Sequence, residues 1–232
     1  MAAVRLRPGA ILAGALAVVL ERRDALLPAM PLLAGMYLLT QAVSLSENPA
    51  LLLVGIPISL MAQTLIVVRT SRVVLLGRDS VGGGWLPAWG ERETRALLYF
   101  VVVVMISIVV MSLVGALLSM APREVVMLVM FGMVMLIVTR LSLLFPAIAA
   151  DHAVNLQRAW QLSRAHQFVL PLFVILVPGV LAIPGLLLLQ LGMWAAPVVV
   201  ILNVLGHMYS AAALALAYHE ALRIEGTPTE QV

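Results

Sequence analysis

The feature that most constrains this chain is its near-continuous series of apolar segments, each about as long as a helix that crosses a membrane. Such a helix needs roughly 20 apolar residues. Charged residues make up only 11% of the sequence, against roughly 25% in a soluble domain, so lipid must be the solvent for most of the surface. We therefore predict an all-α, polytopic membrane bundle that forms one transmembrane domain, residues 1–232. The six predicted spans are Leu26–Val43, Pro49–Val68, Ala96–Met120, Val125–Ala150, Phe168–Leu191 and Trp194–Ala217.

Arginine placement predicts the orientation of these spans. All fourteen basic residues are arginines. If the N-terminus is cytoplasmic, every arginine except Arg123 lies on the cytoplasmic side, which is the bias that membrane proteins show. Both termini are then cytoplasmic, together with a loop over residues 77–95 and a tail over residues 223–232.

The first apolar run, Gly9–Leu20, is too short to span a bilayer. It is similar to the apolar region of a secretory signal, but a predicted span follows within a few residues. We therefore predict that residues 1–24 form an uncleaved helix in the membrane interface.

The stretch from Arg140 to Phe168 interrupts the apolar pattern most strongly. Within it, the apolar residues recur at helical spacing opposite charged and amide side chains; they are Ala153, Leu156, Ala159 and Trp160. This pattern is typical of an amphipathic helix on a membrane surface. We predict such an elbow helix over residues 151–167, with both of its histidines, His152 and His166, exposed.

The loop over residues 77–95 contains Gly82, Gly83 and Gly84. Neither a preceding strand nor a following Lys-Ser/Thr pair makes this a phosphate-binding loop, so we predict a flexible connector. Trp85 and Trp89 are expected to be anchors at the level of the lipid headgroups.

A weak repeat is present in the same plan. Thr64–Ser71 (TLIVVRTS) and Met135–Ser142 (MLIVTRLS) share LIV, Arg and Ser in register. Each predicted hairpin also follows an arginine-bearing segment: Arg5–Asp24, Trp85–Arg95 and Asp151–His166. Either three parallel repeats or chance similarity between apolar segments explains the match.

Arginines near the predicted membrane surface are candidates for binding anionic lipid headgroups, because basic residues beside a membrane are attracted to its anionic lipids. They are Arg22, Arg23, Arg92, Arg95, Arg158 and Arg164. The net charge of +3 is too small to indicate a nucleic-acid partner.

Polar residues inside the predicted spans form a second set of candidates, since each is costly in hydrocarbon. They are Arg69, Arg72, Arg140, Asn203, His207, Ser210 and Glu220. The arginines either extend to lipid phosphates at the membrane surface or form internal ion pairs with Glu220 or Asp151. For Arg140, such a pair would hold the inner ends of the fourth and sixth spans together.

The two last spans carry patterns with two interpretations. Asn203, His207 and Ser210 share one helix face beside small residues, which favours a helix–helix contact in lipid; a proton-relay or ligand-binding role of His207 is the alternative. The fifth span holds three prolines, which are either tolerated kinks or a functional break of the kind found in transporters. They are Pro171, Pro178 and Pro184.

Catalytic motifs are not evident in the sequence. It has no cysteine, which excludes thiolate nucleophiles and thiolate metal sites. His219-Glu220 is not a zincin motif, because the position four residues after His219 is Arg223 and cannot bind zinc. We therefore predict no enzymatic activity, no metal and no cofactor.

Arg140-x5-Pro146-Ala, followed by Arg158-Ala-Trp160-x2-Ser163-Arg164, resembles a bacterial family of six-helix inner-membrane proteins of unassigned function. These are similar to the membrane region fused to some membrane-anchored glycerophosphodiester phosphodiesterases. The chain departs from the family at Ala165-His166, where Gly-Asn is frequent. The resemblance implies the architecture, a multi-pass location in the bacterial inner membrane, and an association with lipids or envelope complexes, but no activity.

These patterns lead to two expectations about function. The first is a non-enzymatic, lipid-interacting scaffold or accessory subunit of a membrane complex, which contacts anionic lipids and either a second copy of itself or another membrane protein. The alternative is a small transporter or channel that uses the proline-broken fifth span and the stripe of Asn203 and His207. A water-accessible cavity lined by His207 would favour the alternative.

Overall fold

The structure, a computed structural model, describes residues 6–46, 49–82, 84, 89–152, 155–164, 166–190 and 195–226. All regular secondary structure in these residues is helical. A π-helix, Leu172–Leu176, leads directly into the ninth α-helix. The α-helices are α1 (Pro8–Glu21), α2 (Arg23–Leu26), α3 (Met30–Leu45), α4 (Pro49–Leu76), α5 (Glu91–Leu117), α6 (Arg123–Leu141), α7 (Leu144–Ala149), α8 (Leu156–Arg164), α9 (Val177–Leu189) and α10 (Ala196–Glu225).

Five helical segments in the described residues are long and apolar enough to cross a membrane. They are Arg23–Val43, Leu53–Leu76, Glu91–Leu117, Arg123–Ala149 and Ala196–Glu225. This confirms the prediction of an all-α bundle with several apolar spans, as expected for a membrane protein. The predicted fifth span, Phe168–Leu191, coincides with a shorter apolar helix, Leu172–Gly185.

Helices α4 and α10 are longer than their predicted spans at the end that carries arginine. Helix α4 continues past Val68 to Leu76, and α10 continues past Ala217 to Glu225. Arginine is a good helix former, and the side chains of Arg69 and Arg72 find acceptors inside the protein, so the change from apolar to mixed sequence does not end the helix. Span prediction from hydropathy alone is therefore too short here.

The predicted second surface segment, Trp85–Arg95, is not a separate helix in the described residues. Its last five residues form the first turns of α5, which begins at Glu91. The exposed Trp89 donates from Nε1 to Thr94 Oγ1 at 3.0 Å, whereas Trp85 and Gly83 lie outside the described residues.

Helix α10 lies at the centre of the bundle and packs against α1, α3, α4 and α9, while α5 and α6 pair at its side. The apolar part of α10 is 61% buried, against 11% for α5. The alanine-rich turns between Ala211 and Ala217 explain this difference, because small side chains let neighbouring backbones approach closely.

Packing is concentrated at one end of the bundle, which we call the polar end: the end where α4 and α10 finish and α5 begins. In α4, residues 62–74 are almost all buried, whereas most of residues 50–61 are exposed or half-buried; in α6 and α7, residues 137–149 are nearly all buried and residues 123–136 are not. The opposite half exposes large apolar side chains such as Leu53 and Phe131. Apolar surface on that scale requires lipid or a partner to cover it.

Helix α1 lies across the polar end. Its first residues form a groove with the last turns of α10, and its carbonyl at Leu12 accepts a hydrogen bond from the Tyr209 hydroxyl at 3.0 Å. After its last residue, Arg22 donates to the carbonyls of Val73 and Val74 near the end of α4. A helix with both ends at one face of the bundle fits the predicted interfacial placement.

Helix α8 corresponds to the predicted elbow helix but is shorter than residues 151–167. It buries Ala159 and Leu162 and exposes Arg158 and Arg164, so its amphipathic character is as expected. Trp160 differs from the expectation, because 40% of it is exposed although it belongs to the predicted apolar face.

Candidate functional site

Arg69 connects three parts of the polar end through backbone carbonyls. It is only 6% exposed. Its Nε and Nη2 donate to the Ala25 carbonyl at 3.1 and 2.8 Å, and Nη2 also donates to the Gly82 carbonyl at 3.1 Å. Ala25 lies in the short α2 and needs an external donor, because Pro28, three residues later in the following 3₁₀ turn, has no N–H.

Arg72 connects further parts of the polar end. Its Nη1 donates to the Ala149 carbonyl at 2.7 Å and to Asp151 Oδ2 at 3.0 Å, and its Nε to the Ser80 carbonyl at 3.3 Å. Ala149 ends α7, where the last carbonyls of a helix have no partner within it. A cation at this position also interacts favourably with the helix dipole.

Asp151 bridges two arginines from different helices. Besides Arg72 of α4, Arg92 of α5 donates from Nε to Asp151 Oδ1 at 2.5 Å. Burial alone would raise the pKa of Asp151, but the hydrogen bonds from Arg92 and Arg72 hold this pKa below its ordinary value. Among the described non-glycine residues, Asp151 is the one with a positive φ, +62°, a conformation that aspartate tolerates better than most residues.

These contacts decide between the two interpretations of Arg69 and Arg72. The predicted extension of their side chains to lipid phosphates is wrong, since their acceptors are backbone carbonyls and the Asp151 carboxylate of the protein. The predicted ion pair with Asp151 is confirmed for Arg72. An internal acceptor is the better solution here, because each guanidinium satisfies carbonyls that helix ends leave unpaired.

Arg140 has different partners from those of Arg69 and Arg72. It is 8% exposed, its Nη2 donates to Gln167 Oε1, and its guanidinium lies 5.4 Å from the centre of the Trp160 ring. Its Nε and Nη1 have no acceptor within the described part of the chain. The charge of Arg140 is thus balanced by a neutral amide and the face of an aromatic ring.

The predicted ion pair of Arg140 with Glu220 or Asp151 is therefore wrong. Glu220 lies 3.6 Å from Arg223, three residues further along the same helix, and both oxygens of Asp151 accept from other arginines. The signal that would have indicated Gln167 is its position at the end of the predicted elbow, where the chain returns towards the bundle.

The histidines at the elbow are not exposed as predicted. His152 is half-buried, and its Nδ1 lies 2.7 Å from the Tyr218 hydroxyl. Burial lowers the pKa of His152, helped by Arg158 and opposed by Asp151. His166 is only 5% exposed; burial lowers its pKa too, against the opposing effect of Glu225. Spacing alone did not show that both rings turn inwards.

Ser210 compensates for a missing backbone donor in the fifth apolar segment, which stays helical through its prolines. In the π-helix each N–H pairs with the carbonyl five residues earlier, as Val177 does with Leu172. The next donor would be Pro178, which has no N–H, so the carbonyl of Phe173 is left unpaired. Ser210 of α10 donates to it at 2.6 Å in a buried position.

The other members of the predicted stripe on α10 also face the protein. The His207 ring stacks on Tyr37 of α3, with ring centres 5.7 Å apart and planes inclined by 24°. Asn203 is half-buried. Tyr37, the partner of His207, and Phe173, the partner of Ser210, belong to different neighbours of α10, so the stripe joins the centre of the bundle to two sides.

The predicted lipid-binding arginines fall into two groups. Arg22 donates to carbonyls of α4, Arg92 pairs with Asp151, and Arg95 pairs with Glu91 at 2.5 Å. The other group is exposed, and no ion pair holds it among the described residues. Its members are Arg23, Arg158 and Arg164.

No protein-family model matches the sequence, and comparisons with curated proteins and with solved structures find no similar chain. The family resemblance at Arg140–Arg164 therefore stays a prediction, and the geometry of the polar end carries the functional argument.

Proposed function

We propose that this chain is a non-enzymatic, multi-pass protein of the bacterial inner membrane that acts as a lipid-interacting scaffold or as an accessory subunit of a membrane complex. The observation that supports this proposal is that the arginines fall into a buried group and an exposed group. Buried arginines bind carbonyls and Asp151 and so fix the polar end, while Arg158 and Arg164 stand exposed on the amphipathic α8, beside Trp160. A rigid end with exposed cations and an aromatic anchor suits contact with anionic lipid headgroups.

We include six spans and two cytoplasmic termini in this proposal. Residues 170–189 are helical without interruption, which at 1.5 Å per residue gives about 30 Å, the thickness of a bilayer's hydrocarbon core. Reporter fusions test the topology. Fusions after Ser46 and Ala121 should report the periplasm, and fusions after Asn155 the cytoplasm. Two further cytoplasmic fusion points, Gly83 and Thr229, lie outside the described residues; a periplasmic signal at Gly83 would contradict six spans.

Lipid retention tests the role of α8. We expect the double variant Arg158→Gln and Arg164→Gln to retain less phosphatidylglycerol or cardiolipin after detergent extraction, since each basic residue near an anionic surface contributes about 1 kcal/mol. The control is Arg123→Gln, an exposed arginine at the opposite end of the bundle. Equal retention by the parent, the α8 variant and the control would contradict the lipid role.

The transporter alternative is less well supported by the contacts of the residues it needs. The carbonyl that Pro178 leaves free is bound by Ser210, and the His207 ring is stacked on Tyr37. Both groups thus have protein partners in the packed centre of the bundle. Three open grooves lie at the polar end: one between α8 and the end of α10, one between the start of α5 and the chain around Asp151, and one between α1 and α10. His207 lines none of these three.

A further inference from the structure

A groove of about 600 Å³ lies between the first turns of α1 and the last turns of α10. The polar part of its lining, which we call the rim, consists of Arg7, just before α1, and of His219, Glu220 and Arg223 from α10. None of these residues contacts the buried arginines Arg69, Arg72 and Arg140 in the hydrogen bonds described above. Only Glu220 was a candidate from the sequence. The groove therefore presents two cations and one carboxylate that the architecture of the bundle does not require.

The charged groups of the rim are only weakly engaged with each other. Arg223 Nη1 and Glu220 Oε2 are 3.6 Å apart, with side chains 75% and 37% exposed. Such an exposed pair contributes little to stability. Arg7 is exposed, and no ion pair holds it within the described residues. All three side chains are thus available to a ligand at little cost to the protein.

The rest of the lining, which we call the floor of the groove, is apolar. Ala10 and Ile11 line it from α1, and Leu216 from α10. A Cβ on Gly14 would lie 3.3 Å from Leu216 Cδ1, so the glycine lets the two helices approach closely beside these apolar residues. A ligand that fits must combine a charged head with apolar chain.

We propose that this groove binds the headgroup of an aminophospholipid, of which phosphatidylethanolamine is the simplest. Arg7 and Arg223 bind the phosphate, Glu220 accepts hydrogen bonds from the primary ammonium group, and the start of an acyl chain covers the apolar floor. This inference rests on the proposed lipid-interacting function but names a different lipid class and a different site from the exposed arginines of α8.

Charge complementarity selects this occupant. The phosphate of phosphatidylglycerol would satisfy the two arginines, but its neutral glycerol offers Glu220 no cation. Phosphatidylcholine has the same charges as phosphatidylethanolamine, but its quaternary nitrogen has no N–H to donate. Because hydrogen bonds between ionised groups are the strong ones, the ammonium N–H should decide between these two lipids.

Native mass spectrometry of the full chain in micelles with equal amounts of the three lipids tests the proposal. We expect phosphatidylethanolamine to be retained over phosphatidylcholine by about tenfold, the effect of one charge-assisted hydrogen bond. Glu220→Gln should bring this ratio close to one, and Arg7→Gln with Arg223→Gln should lower retention of both lipids. Glu124→Gln and Arg123→Gln, at the opposite end of the bundle, are the matched controls and should change nothing.

Three results would overturn the inference. The first is a parent protein that does not prefer phosphatidylethanolamine, a measurement that needs no variant. The second is a Glu220→Gln variant that keeps the preference. The third is equal competition by the soluble glycerophosphoethanolamine, which would show that the acyl chain is not recognised.

The same spectra separate this inference from the proposed function. Retention of phosphatidylglycerol that depends on Arg158 and Arg164, without preference for phosphatidylethanolamine, refutes only the groove. A preference that Glu220→Gln abolishes, with phosphatidylglycerol retention indifferent to Arg158 and Arg164, refutes only the role of α8.

Discussion

Arg69 and Arg140 occupy the same position in two similar segments, Thr64–Ser71 and Met135–Ser142, yet their surroundings differ. Both are less than a tenth exposed. Arg69 makes three hydrogen bonds to two backbone carbonyls, whereas Arg140 makes one to the amide of Gln167 and stacks on Trp160. The partner of each arginine is thus set by distant chain and not by its own segment.

The difference teaches how a buried cation can be tolerated in an apolar bundle. Carbonyls at helix ends need donors anyway, so Arg69 satisfies them while they stabilise its charge. At Arg140 the protein supplies a neutral amide and a ring, and two N–H groups stay without acceptors in the described residues. Arg69 therefore stabilises the fold through its hydrogen bonds, whereas the charge of Arg140 is only weakly compensated.

The largest effect is expected when each arginine is replaced by leucine. Arg69→Leu leaves the carbonyls of Ala25 and Gly82 without their donor and should lower the free energy of unfolding by about 3 kcal/mol. Arg140→Leu removes a charge without a counter-ion and should change it by no more than about 1 kcal/mol, because apolar replacement of buried charge is often neutral. Thermal melting in detergent measures both.

Equal destabilisation by the two substitutions would break the comparison. The conservative variants Arg69→Lys and Arg140→Lys serve as controls for side-chain length and charge. Lysine cannot bind two acceptors with a planar fork, so Arg69→Lys should recover only part of the loss.

A smaller effect is expected at Asp151, which gives Arg72 the counter-charge that Arg140 lacks. Asp151→Asn keeps the tolerance for a positive φ but removes two half-exposed ion pairs, worth about 1 kcal/mol each at most. Because the pKa of Asp151 is lowered in the fold, this stabilisation is present above the ordinary pKa of about 4 and is lost as the pH falls through the lowered value.

Melting curves of the parent and Asp151→Asn should therefore differ at neutral pH and converge in acid. A difference that stays constant down to about pH 3 would show that the charge of Asp151 is not what stabilises the polar end.

A carboxylate can also be supplied to Arg140. Gln167→Glu turns a neutral acceptor into a charged one, so we expect a gain of about 1 kcal/mol, the difference between neutral and charge-assisted hydrogen bonds. Gln161→Glu, on the exposed face of α8, is the matched control and should leave the melting temperature unchanged. Destabilisation by Gln167→Glu would mean that Arg140 does not lack a counter-charge.

The smallest expected effect is local and depends on pH. His152 and His166 flank α8, and burial lowers the pKa of both. Their neutral forms stabilise the fold above the ordinary pKa of about 6.5, and this contribution is lost as the pH falls below that value. Between about pH 7.5 and 5.5, we expect faster hydrogen exchange in α8 after correction for the intrinsic rate, but not around Arg69.

His152→Gln, with the amide still able to bond Tyr218, should reduce the pH response of α8. A response of the same size around Arg69 would indicate general loosening and not titration at the elbow.

Much of the architecture was predictable from the sequence, because a long apolar segment indicates a lipid-facing helix whatever its partners are. The apolar segments predicted the long helices, and the helical spacing of apolar residues predicted the amphipathic α8. The ends of α4 were not predictable, since its continuation to Leu76 depends on acceptors for Arg69 and Arg72 that come from other parts of the chain. Orientation and the sixth span stay predictions.

The candidate site was predictable as a set of residues but not as a set of partners. Polarity within an apolar run identified Arg69, Arg72 and Arg140, yet one pairs with Asp151, one with carbonyls and one with Gln167. Backbone carbonyls do not differ along a sequence, so a pattern of side chains cannot show which of them a helix end leaves free. The inward rotation of His152 and His166 depends equally on packing.

The hydrogen bond from Ser210 to the Phe173 carbonyl has an evolutionary consequence. The hydroxyl is needed because Pro178 cannot donate, so the two positions are linked across a helix boundary and 32 residues of chain. A descendant that replaces Pro178 with a residue bearing an N–H releases position 210 from selection for a hydroxyl. The reverse order of substitution passes through an unpaired buried carbonyl, so the proline should be lost first and the serine second.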